Sequence, residues 1–325
     1  MTGGGLGSAE RKARRPAEPS GHHARSVSLP VSFAGRRFAS RSRKARLPSP
    51  LPPRAVARRR VWRIAGSLAA LGLAAAGCGQ PSSLPVANPE QRGAAEYDLA
   101  RDAFQGTRLR EALDHVEKAL KFDDHNADAA YLGAIVLFQF CAADEASPDC
   151  RYNEAEAYAR RALKASPEHR EAKNALGVSL IHLKRYDEAV AVLKPLANDI
   201  LYPSPEKAWG NLGWAYLEKG SLDEAIDALR RAVAAQPLFC VGYYRLGLAY
   251  EKKDNLALSR EALTKAVDTD RPECKRLQEA FDARARVLAR QGFKDEARAD
   301  LQRCRELSSS TPAGQRCAAE LQTNP

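Results

Sequence analysis

The sequence predicts an all-α protein, a superhelix built from paired antiparallel helices. The first observation is one complete unit in which large and small residues alternate at helical spacing. Small side chains at Gly213, Ala225 and Ala232 would let two helices approach closely, and Pro237 would end the second helix. The second observation is that this pattern recurs, as it must if one unit cannot bury its apolar face alone. We therefore expect about six helical hairpins and a C-terminal capping helix.

The same spacing of large and small residues recurs on both sides of the unit that contains Ala225. It marks five further units within residues 93–311. A last segment from Pro312, with Ala318 and Leu321 as its apolar positions, is predicted to be the capping helix. The residues that mark the five units are Ala112, Val116 and Ala119; Tyr152, Ala155, Ala159, Ala162 and Pro167; Leu176, Gly177, Ala189 and Leu193; Leu246, Gly247, Tyr250, Ala262, Leu263 and Ala266; and Ala285, Ala297 and Leu301.

The central unit resembles the tetratricopeptide repeat, with a leucine in place of one aromatic residue. The residues that carry the resemblance are Trp209, Leu212, Gly213, Tyr216, Ala225, Leu229, Ala232 and Pro237. The resemblance implies that function lies in a concave groove lined by the first helix of each unit. The groove positions predicted to bind a partner are Tyr97, Phe104, Tyr131, Ile135, Phe138, Val178, Ile181, Trp214, Leu217, Tyr244 and Leu248.

These groove positions are aromatic or aliphatic and carry no charge, which favours an apolar segment or an amphipathic helix of a partner protein. Chaperone-binding members of the family place Lys and Asn there to hold a terminal carboxylate, so that class of ligand is disfavoured. The alternative is that several of these side chains pack within their own array.

The first residues differ in composition from the repeats. Residues 1–63 hold sixteen Lys or Arg and two acidic residues, whereas residues 64–325 hold thirty-five basic and thirty-eight acidic residues. The high net charge of +11 therefore belongs to the leader and not to the array. Because the array has no basic stripe, nucleic-acid binding is disfavoured.

An export signal is predicted at residues 58–77. Basic residues at 58–60 and 63 precede the uncharged apolar run 64–77, which is too short to span a bilayer but suits a signal peptide. The run ends in Ala75-Ala76-Gly77-Cys78, which resembles the lipobox of bacterial lipoproteins. That resemblance implies cleavage before Cys78 and acylation of this cysteine, which would anchor the mature chain to a membrane. The alternatives are a free cysteine after an ordinary signal or a misinterpreted hydrophobic tract.

Residues 1–57 are predicted to be a disordered basic leader. Translation from Val56 or Val61 would give a signal peptide of ordinary length, so the start site is a candidate for reassignment. A genuine disordered extension is the alternative. Residues 78–92 are predicted to be a flexible tether. Gly79 after the cysteine is similar to the outer-membrane signal of enterobacterial lipoproteins, and this resemblance implies the outer membrane with the array in the periplasm. The repeat domain is expected at 93–325.

Six cysteines follow the lipobox, an even number that suggests disulfides in an exported protein, although fifteen connectivities are possible. Cys141 and Cys150 would close a short insertion in the second unit. Cys304 and Cys317 would face each other across an antiparallel turn. Cys240 and Cys274 remain by elimination. The alternative is six reduced thiols.

Catalytic and metal-binding motifs are missing from the sequence. The histidines of the array, at positions 115, 125, 169 and 182, are scattered over different units, and no nucleophile elbow, phosphate loop or zinc signature occurs. We expect no enzyme activity, no metal, no cofactor and no small-molecule substrate.

Two prolines mark the junction between the third and fourth units, and Pro195 just before it is expected to kink or stop its helix. The run Asp199-Ile-Leu-Tyr-Pro-Ser-Pro-Glu206, followed by Asn211-Leu212-Gly213, resembles the pilotin lipoproteins of type IV pilus systems, which include the social-motility lipoprotein of gliding bacteria. This resemblance implies binding to secretin subunits and promotion of their assembly in the outer membrane. The alternatives are a general cell-envelope scaffold and a cytosolic regulator whose basic tail binds nucleic acid.

Overall fold

The computed structural model describes residues 88–323, which form thirteen α-helices and one 3₁₀ turn. The predicted leader, signal peptide and Cys78 lie outside the described residues. In chain order the helices are α1 (Pro89–Gln105), α2 (Leu109–Phe122), α3 (Ala127–Ala143), α4 (Tyr152–Ala165), α5 (Arg170–His182), α6 (Tyr186–Ala197), α7 (Pro205–Lys219), α8 (Leu222–Ala235), α9 (Cys240–Lys252), α10 (Leu256–Asp268), α11 (Gln278–Arg290), α12 (Lys294–Leu307) and α13 (Pro312–Thr323), with the 3₁₀ turn at Cys274–Arg276.

Consecutive helices pair into six hairpins, from α1/α2 to α11/α12, and α13 covers the last hairpin. The all-α repeat prediction, with six units and a capping helix, is confirmed. We call the odd-numbered helices from α1 to α11 the inner helices. One buried apolar cluster runs from α1 to α8, and two further clusters continue it to α13. Within residues 88–323, none of the helices has the length and hydrophobicity that a membrane span needs.

The close approach of the two helices within a hairpin depends on glycine. A Cβ atom on Gly213 would lie 2.6 Å from Cγ of Leu229 on the facing helix, well inside contact distance. Gly177 and Gly247 meet Leu193 and Leu263 in the same way. These three pairs are the small and large residues from which the repeat was predicted.

The start of the array differs from its predicted boundary. Residues 89–92, expected to belong to the tether, form the first turn of α1. Asn88 accepts a hydrogen bond from the Gln91 backbone N–H at 2.7 Å, and the Gln91 side chain accepts one from the Asn88 N–H at 3.2 Å. This capping box, together with Pro89 at the first helical position, starts the helix before the apolar pattern begins.

Pro195 does not stop its helix at once. Helix α6 includes this proline and ends two residues later, at Ala197. A proline this close to the end removes a single hydrogen-bond donor, and the buried side chains of Leu196 and Ala197 keep the last turn in place.

Three disulfides join the six cysteines in the same pairs that the sequence suggests. Cys141–Cys150 closes the insertion between α3 and α4. Cys240–Cys274 ties the start of α9 to the 3₁₀ turn before α11, and Cys304–Cys317 ties α12 to α13. The last two bonds therefore secure the C-terminal third of the array.

Candidate protein-binding surface

The inner helices carry all eleven positions that were predicted to form an apolar groove, but their exposure divides into two groups. Five positions are half-buried and keep part of their surface accessible, and they are Tyr97, Phe104, Tyr131, Val178 and Leu248. Six are at most 9 % exposed, and they are Ile135, Phe138, Ile181, Trp214, Leu217 and Tyr244. The expectation of an open apolar groove is therefore wrong for these six positions.

Phe138 and Trp214 are buried in a row of rings that crosses the middle of the array, which we call the ring row. Tyr152 at the start of α4 lies 6.4 Å from Phe138 and stacks on His182 at 3.9 Å between ring centroids. His182 meets the ring of Trp214 edge-on at 5.1 Å, and the Arg245 guanidinium lies 4.2 Å from the centre of the Trp214 ring. Each side chain covers its neighbour, so the largest apolar residues of the inner face stabilise the superhelix.

A polar ladder lies beside the ring row and links three successive inner helices. Asn211 on α7 donates a hydrogen bond from Nδ2 to Oδ1 of Asn174 on α5 at 3.0 Å. Arg245 on α9 donates from Nη1 to Oδ1 of Asn211 at 3.0 Å and to the carbonyl oxygen of Gly210 at 3.2 Å. Asn174 and Asn211 are half-buried, so this ladder contributes polar groups to the accessible inner face.

The centre of the inner face holds a buried cation, the guanidinium of Arg245, and a neutral imidazole, the side chain of His182. Burial lowers the pKa of Arg245 to about 10, with nearby Tyr244 and Glu218 opposing that shift, so the guanidinium stays charged at neutral pH. Burial, followed by the charge of Arg245, lowers the pKa of His182 to about 3. His182 is therefore neutral at physiological pH and serves as a packing residue.

The depressed pKa of His182 predicts a loss of stability in mild acid. In the unfolded chain this histidine takes up its proton near pH 6.5. Between about pH 6.5 and about pH 3 the unfolded state therefore binds more protons than the folded state. The free energy of unfolding should fall by up to about 1.4 kcal/mol for each pH unit below 6.5.

Urea denaturation at about pH 7, 6 and 5 measures this slope. The matched variant is His182→Phe, because residue 138 is the equivalent position one unit earlier and is a phenylalanine. The variant should lose most of the dependence on pH in this window. An unchanged slope in His182→Phe would show that other groups cause the acid sensitivity.

A second surface of interest is the connection between α6 and α7, which exposes aliphatic side chains. Ile200 is 96 % exposed and Leu201 is 69 % exposed, whereas Tyr202 beside them is buried. The sequence marks this connection by its prolines and its pilotin-like run, but neither feature singles out Ile200 and Leu201. The sequence pattern that could have identified them is a pair of consecutive aliphatic residues between a carboxylate and a proline-rich turn.

The remaining candidates for chemistry are dispersed. Among the described residues, the acidic and histidine side chains that could share a metal ion are Asp123, Asp124 and His125, a largely exposed group in the connection between α2 and α3. The side chain of His115 is hydrogen-bonded to Glu96 at 2.6 Å, and that of His169 is hydrogen-bonded to Asp128 at 3.2 Å. Both histidines therefore join neighbouring helices. These contacts stabilise the stack and form no catalytic arrangement.

Family models described as "Tetratricopeptide repeat" match residues 151–203, 196–238 and 242–272. These units are tetratricopeptide repeats. The matched residues cover the strongest units, and the structure extends the same hairpin geometry to α1 on one side and α12 on the other. Among curated proteins, none matches this sequence.

Solved structures with the same fold include a type IV pilus biogenesis factor. PilW, described as a widely conserved type IV pilus biogenesis factor, is 22 % identical with a TM-score of 0.58, and the match covers 70 % of this chain and 99 % of that one. PilF of Pseudomonas aeruginosa is 19 % identical with a TM-score of 0.55, covering 71 % and 99 %. A tetratricopeptide repeat protein from Parabacteroides merdae is 17 % identical with a TM-score of 0.56, covering 71 % and 84 %. At these identities the likeness shows the repeat fold.

Proposed function

We propose that this protein is a lipid-anchored outer-membrane protein that binds secretin subunits and promotes their assembly for type IV pilus biogenesis. Two features of the sequence support the proposal, the lipobox that ends at Cys78 and the junction run from Asp199 to Glu206. Arrays of tetratricopeptide repeats act as scaffolds for other proteins, which fits the dispersed histidines and the absence of catalytic motifs. The fold likeness to PilW and PilF is consistent with this role.

The junction between α6 and α7 is the observation that carries the proposal, because its pilotin-like sequence forms a defined structure. Asp199 accepts a hydrogen bond from Nε of Arg170 at 2.6 Å and another from the Leu201 backbone N–H at 2.9 Å. Arg170 and the Leu201 N–H together hold the pKa of the Asp199 carboxyl below its usual range. Tyr202 is buried against the main core, and burial raises the pKa of its phenol. The run thus encodes a rigid connection that sets how the third unit meets the fourth.

The partner would bind along the accessible positions of the inner helices. The half-buried apolar residues are spread over α1, α3, α5 and α9, and the polar ladder lies between them. Because only parts of these side chains remain to be buried, each contributes less than the roughly 1.5–3 kcal/mol of a fully buried side chain. Useful affinity therefore requires an extended segment of the secretin that contacts several units together.

The test is a deletion strain complemented with variants of the same gene. Deletion should leave secretin monomers and remove surface pili, and the wild-type gene should restore multimers. Cys78→Ser should lose incorporation of labelled palmitate and should fail to restore assembly. Val178→Asp with Leu248→Asp should keep palmitate incorporation and the helical circular dichroism spectrum but lose co-purification of the secretin. Normal secretin multimers in the deletion strain would refute the proposed function.

A general cell-envelope scaffold for another export or assembly complex is the second candidate. It is favoured by the equal fold likeness to the Parabacteroides merdae protein, because the repeat architecture alone does not specify a pilus partner. The outer-membrane proteins that co-purify with the acylated chain distinguish the two. Recovery of an assembly complex without secretin would favour the general scaffold.

A further inference from the structure

Three of the four exposed large aliphatic side chains within residues 88–323 lie at one edge of the array, and the fourth is Leu99 in the middle of α1. Because each hairpin begins with an inner helix, the connections from one hairpin to the next lie at the same edge as the start of α1. Side-chain contacts confirm that the starts of inner helices lie beside the ends of even-numbered helices at this edge. Arg92 at the start of α1 lies 3.9 Å from the Phe122 ring at the end of α2. Farther along, Arg170 at the start of α5 is paired with Asp199 after α6. We call this the inter-unit edge.

Two consecutive connections on the inter-unit edge expose aliphatic residues, and both flank the fourth hairpin, α7/α8. Ile200 and Leu201 precede α7, and Leu238, which is 46 % exposed, follows α8. We call these three residues the aliphatic patch. By contrast, the connection between α2 and α3 is Asp123-Asp124-His125-Asn126, which is wholly polar. The patch is therefore a local feature of the edge and not a general property of the connections.

The tips that carry the patch are uncharged and held in place. Residues 200–205 contain no charged side chain, and residues 232–244 contain none either. The neighbouring carboxylate of Asp199 is neutralised by Arg170 at 2.6 Å. Ile200 and Leu201 therefore project from a fixed turn with no charge of their own, and the cost of moving such a tip out of water is low.

The length of chain between the anchor and the array indicates what covers the patch. Asn88 lies ten positions after Cys78, and an extended chain of that length spans at most about 35 Å. Since α1 begins at the inter-unit edge, this short link leaves the array from the same edge that carries the patch. An acylated Cys78 would therefore keep that edge near the bilayer. The patch also lacks the aromatic and arginine residues that dominate protein interfaces.

We propose that the aliphatic patch of Ile200, Leu201 and Leu238 inserts into the surface of the membrane that holds the anchor. The proposal rests on the proposed acylation of Cys78. With the tips of two connections at the boundary between headgroups and acyl chains, the array has a fixed orientation on the membrane. The inner face then stays open toward the periplasm for its partner.

The test uses the mature acylated protein purified from cell membranes and reconstituted in vesicles of phosphatidylethanolamine and phosphatidylglycerol. Leu201→Cys, labelled with an environment-sensitive fluorophore, reports the patch, and Leu238→Cys is a second reporter. The matched control is Lys294→Cys, an exposed position at the start of α12 on the opposite edge. The other cysteines do not interfere, because six are paired in disulfides and Cys78 is acylated under the proposal.

On vesicles, the probes at positions 201 and 238 should shift their emission to the blue and lose intensity when the lipids carry a quencher on the acyl chain. The probe at position 294 should show neither change. If the protein floats with the vesicles but the probes at 201 and 238 remain in water, the patch proposal is wrong and the anchor stands. If the protein does not float with the vesicles, the anchor is wrong and the patch proposal fails with it.

Discussion

Replacing Trp214 by alanine should lower the free energy of unfolding by about 3–5 kcal/mol, the usual cost of truncating a buried aromatic residue. The side chain is 5 % exposed and lies between the ring of His182 and the guanidinium of Arg245. Its removal would leave a cavity in the ring row and would take away the ring face against which the buried Arg245 cation rests. The loss should therefore reach three consecutive inner helices.

Urea denaturation followed by circular dichroism measures this effect, with hydrogen exchange to locate the weakened units. Trp209→Ala is the matched control, because Trp209 is half-buried and covered on one face by Arg231, 4.8 Å from the ring centre. The control should lose less stability than Trp214→Ala. Equal losses in the two variants, or an unchanged midpoint in Trp214→Ala, would contradict the structural role of the ring row.

This expectation changes how the inner face should be probed for binding. The sequence alone would recommend Trp214→Ala with Tyr244→Ala as a binding test, but both side chains are buried. Reduced partner capture by that double variant would report destabilisation of the array as much as lost contact. Val178 and Leu248 are better probes, because both are half-buried on inner helices.

Replacing Asp282 by alanine should destabilise the C-terminal end of the array by about 3 kcal/mol. Asp282 on α11 is 1 % exposed and accepts hydrogen bonds from Nε and Nη2 of Arg316 on α13 at 3.1 and 2.5 Å. Arg286 adds an ion pair at 3.3 Å. Breaking a buried pair leaves charge without its partner. The lower end of the usual range applies here because both arginines are partly exposed.

The measurement is hydrogen exchange of α11 to α13 together with urea denaturation. Arg316→Ala is the control, since it removes an arginine that is 49 % exposed and leaves Asp282 paired with Arg286. It should cost clearly less than Asp282→Ala. The Cys304–Cys317 disulfide keeps α13 attached in both variants, so increased exchange should appear without release of the helix. Unaltered exchange in Asp282→Ala would show that α13 is held by the disulfide and apolar contacts alone.

The hairpins could be predicted from the sequence because their determinants are local and periodic. Gly213 and Leu229 are sixteen residues apart, and the antiparallel packing of the two helices of one hairpin brings them into contact. The same two residue types recur at the same separation as Gly177 with Leu193 and Gly247 with Leu263. Two of the three cysteine pairs follow from similar reasoning, because Cys141 and Cys150 close a short insertion and Cys304 and Cys317 lie on consecutive antiparallel helices. The start of α1 was placed four residues late, because Asn88, Pro89 and Gln91 act through capping and not through apolar spacing.

Composition and the spacing within one hairpin suffice to predict the repeat architecture, the number of units and the separation of a basic leader from a nearly neutral array. Which inner-face residues are accessible depends instead on contacts between units. Phe138, His182 and Trp214 belong to three different units, and their burial arises from stacking between units, which no pattern within one repeat encodes. Ile200 and Leu201 are aliphatic like the core residues, yet they lie in water because the bonds of Asp199 and the burial of Tyr202 turn the chain outward at that point.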